Sequence, residues 1–193
     1  MSKVVVFTSV SLDGVSQAPG RADEDLRDGF DLGGWALPYA DAVMGKMAAE
    51  GMATTGGILL GRRTYEDFYG FWPRQTDNPF TEVLNDTQKY IASRTLQEPL
   101  AWSNSTLLEG DAAEAVANLK EQPGGDLVAL GSGELVRSLM GRGLVDRYML
   151  LIHPLVLGSG RRLFPDRGVF SALRLVDTVT TTSGVIIATY EPA

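Results

Sequence analysis

The chain contains no cysteine and only one histidine among its 193 residues. Without thiols there is no disulfide, no cysteine nucleophile and no thiolate metal centre. A Ser-His-Asp triad would depend on His153 alone, and His153 lies in an apolar run just before Pro154, which reads as a structural setting. The same scarcity argues against a transition-metal site. Basic charge is also short: 17 Lys and Arg face 24 Asp and Glu, for a formal net charge of -7. That balance argues against a nucleic-acid binder. Any anion must be held by local groups, for which Arg62, Arg63, Arg94, Arg161 and Arg162 are candidates, or by backbone donors. No apolar run approaches the roughly 20 residues of a membrane span. Met1-Ser2-Lys3 followed by Val4 to Phe7 lacks the pattern of a secretory signal, so a cytoplasmic location is expected.

Apolar residues make up 44 % of the chain, enough for a substantial core. No linker or internal repeat interrupts it, and a single domain over 1–193 is expected. Val4 to Val10 reads as a buried strand ending at Ser11-Leu12-Asp13-Gly14, and Ser16 to Gly34 as a polar loop. Val43, Met44, Met47 and Ala48 recur at helical spacing, which predicts a helix over Ala40 to Ala53. Short strands are expected at Ile58 to Leu60, Lys89 to Ala92 and Leu127 to Leu130, with a central strand from Tyr148 to Leu157. Thr64 with Asp67 resembles a capping box, Asn78 can cap a helix with Pro79 in its first turn, and Asp111 with Glu114 caps another. Leu135 to Met140 is the last helix. Leu173 to Thr181 and Val185 to Tyr190 flank Thr182-Ser183-Gly184 as a hairpin. Strands alternating with helices imply an α/β fold, with a mostly parallel central sheet flanked by helices and a C-terminal antiparallel hairpin.

Two glycine-bounded junctions from strand to helix carry the chemistry. The first is Gly57-Ile58-Leu59-Leu60-Gly61-Arg62-Arg63-Thr64-Tyr65-Glu66, and the second is Leu127-Val128-Ala129-Leu130-Gly131-Ser132-Gly133-Glu134-Leu135-Val136. A helix N-terminus presents free amides and a partial positive charge, which suits phosphate, so two such ends can hold a dinucleotide. The second junction departs from the usual dinucleotide fingerprint, because Val136 stands where a third glycine belongs. Arg62 and Arg63 at a helix start can grip phosphate oxygens in a forked geometry, or stand as solvated surface charges. Ser93-Arg94 closes another strand, as a phosphate contact or an ordinary turn.

Taken together these segments resemble the dihydrofolate reductase-like superfamily, closest to the reductase domain of riboflavin biosynthesis and its stand-alone relatives. The resemblance rests on Ser11-Leu12-Asp13-Gly14, Leu60-Gly61-Arg62-Arg63-Thr64-Tyr65-Glu66, Ser93-Arg94, Gly131-Ser132-Gly133-Glu134-Leu135, Pro154 to Gly160, and Leu163-Phe164, in the family's order. It implies a dihydrofolate reductase-like α/β fold and NADPH as cofactor. The cofactor phosphates would lie between Gly61, Arg62, Arg63, Thr64 and Gly131, Ser132, Gly133, Glu134, Leu135, with Arg62, Ser93 and Arg94 on the 2′-phosphate. The resemblance implies hydride transfer to a small heterocyclic or related acceptor, and a homodimer; a nucleotide-binding module without turnover is the competing reading. The folate enzymes place a carboxylate on the helix before the first junction, which makes Asp41 the candidate catalytic residue. Tyr39 is an insertion relative to that pattern, and a charge complementing the helix dipole is the alternative for Asp41.

Overall fold

Val4–Ser11 (β1) is apolar on both faces, and a strand of that kind must be covered on both sides. In the computed structural model, which describes residues 1–165, 167–168 and 170–193, it pairs in parallel with Asp126–Leu130 (β5) and Arg147–His153 (β6). The remaining strands are Thr55–Gly61 (β2), Lys89–Ala92 (β3), Ser105–Leu107 (β4), Leu173–Thr180 (β7) and Ile186–Pro192 (β8). The sheet runs β4-β3-β2-β5-β1-β6-β8-β7, parallel from β4 to β6, with β8 and β7 added antiparallel.

The pleat divides the core into two layers. Val4, Val6, Leu127, Ala129 and Leu150 pack with Ala112–Glu121 (α4) and Gly133–Gly141 (α5). On the other face Ile58, Leu60 and Ile91 pack with Arg62–Phe71 (α2) and Phe80–Asp86 (α3). Further along that face, Met149, Leu151 and Ile187 meet Met44 and Met47 of Ala42–Ala53 (α1).

Several expectations shift at their edges. β2 begins at Thr55 rather than Ile58 because Gly56 and Gly57 belong to it. A Cβ on Gly56 would lie 2.6 Å from the Gly125 nitrogen, and one on Gly57 2.7 Å from the Tyr90 ring, so close packing demands glycine where strand propensity argues against it. Thr64 is not the cap of α2: the helix starts at Arg62 with Gly61 before it. Asn78 does serve its helix, its side chain accepting from the Phe80 amide at 3.0 Å. β6 ends at His153 instead of Leu157, because Pro154 has no N–H to give. The chain beyond it is held by Asp13, whose carboxylate accepts from the amides of Leu157 at 3.1 Å and Gly158 at 2.9 Å. β4 has only three residues and no period to read.

Lys89 is fully buried at the start of β3. Its ammonium donates to the carbonyls of Leu84 at 2.7 Å, Asn85 at 3.1 Å and Thr87 at 2.7 Å, closing the C-terminus of α3, and sits 4.6 Å from the Trp102 ring centre. Burial pushes its pKa down to about 8.

Candidate functional site

The two glycine junctions meet. Gly131 (φ 56°) and Ser132 (φ 55°) are both left-handed, and together they turn β5 sharply into α5. That turn brings the Ser132 hydroxyl to the Gly61 amide, from which it accepts at 2.9 Å, while it donates to the Leu130 carbonyl at 3.1 Å. Neither α2 nor α5 has a side-chain cap. Two helix N-termini therefore open beside one another with first-turn amides that no side-chain cap engages, the arrangement that suits anionic oxygens.

A cavity of about 1430 Å³ adjoins both ends. Gly61, Arg62, Arg63, Thr64, Ser93, Arg94, Gly131, Ser132, Gly133, Glu134 and Leu135 all line it. Arg63 and Arg94 are exposed, and Arg62 pairs with Glu66 one turn along at 3.0 Å. The Ser93 hydroxyl accepts from the amides of Thr95 and Leu96, which fixes the turn that carries Arg94.

The loop after β1 forms a third wall that sequence patterning did not reveal. It carries its own small core of Val15, Ala18, Phe30 and Trp35. Gln17 organises it: its amide donates to the carbonyls of Asp25 and Arg27, its own carbonyl oxygen accepts from the Arg161 amide at 2.9 Å, and its backbone oxygen accepts from the Trp35 indole at 2.7 Å. Two clasps hold the loop to the helices behind it. Arg21 reaches Asp67 on α2 with both terminal nitrogens and stacks 4.5 Å from the centre of the Phe71 ring. Arg161 bridges Asp28 of the loop, at 2.8 Å, and Glu134 of α5, at 3.3 Å. The acidic run Asp23-Glu24-Asp25 between Arg21 and Arg27 is the charge signal that the sequence carries there. Glu24, also lining the cavity, has its pKa raised, first by burial.

Asp41 does not line this cavity. It is the N-cap of α1, with Oδ1 accepting from the amides of Val43 at 2.8 Å and Met44 at 3.1 Å. Oδ2 accepts from the Thr182 amide at 2.8 Å and hydroxyl at 2.9 Å, pinning the β7–β8 turn to the helix. These donors hold its pKa down at about 2 against the opposing effect of desolvation. A carboxyl so placed is a poor proton donor near neutrality, and the helix-terminal alternative describes its contacts.

The cavity continues between α1 and the sheet. Val5, Phe7, Val128 and Met149 line it from the strands, and Ala48 and Met52 from the helix. No residue of α1 is fully buried: Met44, Met47 and Met52 pack against the sheet side of the core but stay partly exposed. His153 stands apart, fully buried, with Nδ1 at 2.9 Å from the Leu151 carbonyl oxygen and Trp35 and Tyr39 edge-on to its ring. Among the described residues no helix is long and apolar enough to cross a membrane.

The family model described as the RibD C-terminal domain matches residues 2–187. The uncharacterized protein YyaP of Bacillus subtilis is 34 % identical over 138 residues, covering 69 % of this chain and 72 % of that protein. Among solved structures, RibD of Acinetobacter baumannii superposes with a TM-score of 0.63 at 17 % identity, over 100 % of this chain and 58 % of its own. The dihydrofolate reductase of Enterococcus faecalis, solved with NADP(H) and RAB-propyl, gives 0.62 at 15 % identity, over 98 % and 96 % of the two chains. The fold is thus that of the dihydrofolate reductase-like superfamily.

Proposed function

This chain belongs to the RibD C-terminal domain family, and from that membership we propose that it is an NADPH-dependent reductase passing hydride to a small heterocyclic acceptor. The observation that carries the proposal is the Gly61–Ser132 contact, which sets two uncapped helix ends on one cavity. The residues there fit a dinucleotide. Gly61 and Gly131 keep side chains off the approach, and the first-turn amides of α2 and α5 suit its pyrophosphate. Arg62, Arg63 and Arg94 line the same cavity and would meet a further phosphate there, with Ser93 shaping the turn under Arg94.

NADPH, when bound, supplies the hydride; the protein's contribution is orientation and the exclusion of water. The loop clasped by Arg21 and Arg161 covers the cleft, and the apolar wall under α1 suits a flat ring. Glu24 also lines the cavity, with Oε2 accepting from the amides of Gly20 at 2.7 Å and Arg21 at 3.1 Å, which holds this carboxyl within the loop wall. The exposed apolar side chains of Leu175, Val176 and Ile186 on the edge hairpin support a homodimer as the working assembly. The test is NADPH oxidation followed against pterins and ribosylaminopyrimidines. Turnover of one of them is the expected result; tight NADPH binding without turnover of any would favour the non-catalytic nucleotide-binding reading.

A further inference from the structure

His153 is the chain's one histidine, and none of the chemistry above uses it. It ends β6 in register with Ser11 of β1 and is completely buried. Its Nδ1 lies 2.9 Å from the Leu151 carbonyl oxygen. A carbonyl can only accept, so Nδ1 carries the proton of the neutral ring and Nε2 is the bare acceptor. Nε2 is buried and has no hydrogen-bond partner among the described residues. A second proton would land on that atom and place a charge inside an apolar setting.

The ring touches both the loop wall and the lead into α1. Trp35 stands edge-on to it at 5.2 Å between centroids, and Tyr39 at 5.6 Å. Trp35 belongs to the core of the loop wall, and its indole donates to the backbone oxygen of Gln17, which lines the cavity and holds the Arg161 amide. Tyr39 lies two residues before the Asp41 cap of α1, and its carbonyl accepts from the Ser183 hydroxyl at 2.6 Å. One buried ring thus supports two sides of the cleft.

We propose that His153 is a pH-sensitive pin: neutral, it seats Trp35 and Tyr39 and steadies the loop wall; protonated, it unseats them and loosens that wall. Burial is the largest effect on the imidazole pKa and lowers it, against the carbonyls of Leu151 and Val10, which raise it. Tyr39 is the titratable side chain in contact with the ring. Charged groups on the elements around it are committed elsewhere. Asp13 after β1 is held by Ser11, Leu157 and Gly158, and Asp41 by the start of α1 and Thr182. In the loop, Asp25 pairs with Arg27 and Asp28 with Arg161. None of these acts on the His153 pKa. The folded chain therefore takes up this proton less readily than the unfolded chain, and the stabilisation is lost as pH falls below the ordinary histidine value.

The test uses the full chain without a histidine tag, so that His153 is the sole imidazole. NMR follows its Hε1 signal with pH. Hydrogen exchange follows the amides of Gly34 and Ala36, which donate to the carbonyls of Ala18 and Pro19 within the loop wall. The Leu127 amide, which donates to the Lys3 carbonyl in the sheet, is the control. The expected result is one titration below about pH 6.5. Across it, opening at Gly34 and Ala36 should rise by about tenfold after correction for intrinsic exchange, with Leu127 unchanged. In His153→Phe the rise should vanish, and His153→Gln takes its place should melting show that the first does not fold. A histidine that titrates with no change at Gly34 and Ala36, one that stays neutral until the whole chain unfolds, or a rise that survives the substitution would overturn the proposal. No ligand enters these measurements, so their outcome is independent of the reductase reading.

Discussion

Arg21 on the loop after β1 and Asp67 on α2 form a two-pronged ion pair, with Nη1 donating to Oδ2 at 3.2 Å and Nη2 to Oδ1. Both side chains are largely covered, at 24 % and 17 % exposure, so the pair is better shielded from water than an ordinary surface contact. Pro19 and Glu24 on either side of Arg21 line the cavity, as does Asp67 itself. The clasp therefore ties this wall of the cleft to α2.

Arg21→Ala should speed both association and release of NADPH, each by about three- to tenfold, the effect of removing roughly 1 kcal/mol from the closed loop. Stopped-flow fluorescence measures both rates. Rates equal to those of the parent protein would mean that the loop does not move when ligand enters.

Ser132→Ala removes the acceptor of the Gly61 amide and should cost about 1–2 kcal/mol, lowering Tm by roughly 2–8 °C. Ser132→Gly relaxes the left-handed backbone but still lacks the hydroxyl, so it should recover some of the Tm. Both variants should bind NADPH several-fold more weakly by calorimetry. Unchanged affinity in folded variants would separate the junction from the cofactor.

Asp41→Asn tests the helix-cap assignment through pH. The folded pKa of Asp41, about 2, lies below the unfolded value near 3.8. Its contribution to stability is therefore fully present above about pH 4 and lost as pH falls toward 2. Melting curves of the parent should show that loss, and Asp41→Asn should be less stable at neutral pH with a shallower decline over this window. Turnover at neutral pH should follow the folded fraction. A large fall in turnover with no change in melting would restore a catalytic role to Asp41.

The sequence made the central strands and the glycine-bounded turns into α2 and α5 legible because both depend on local signals. An apolar run such as Val4 to Val10 announces a buried strand, and Gly131-Ser132-Gly133 announces a turn into a helix. The loop wall was not legible, since Arg21 meets Asp67, 46 positions away, and Gln17 meets Arg161, 144 positions away, through contacts that follow no period. Gly56 and Gly57 misled in the other direction: their place in β2 is set by Gly125 and Tyr90, which only the folded sheet brings near. The part of the cavity under α1 was hidden for a related reason. The helix has an ordinary apolar pattern, and only packing shows that none of its residues is fully buried.

The central claim is that the paired helix ends and their arginines hold NADPH. Calorimetric titration of the purified protein with NADPH and with NADH tests it most directly, because the two differ only in the phosphate assigned to Arg62, Arg63 and Arg94. The account predicts at least tenfold tighter binding of NADPH, with the advantage lost in the Arg62→Ala, Arg94→Ala double variant. Equal affinity for the two cofactors, or binding of neither, would contradict it.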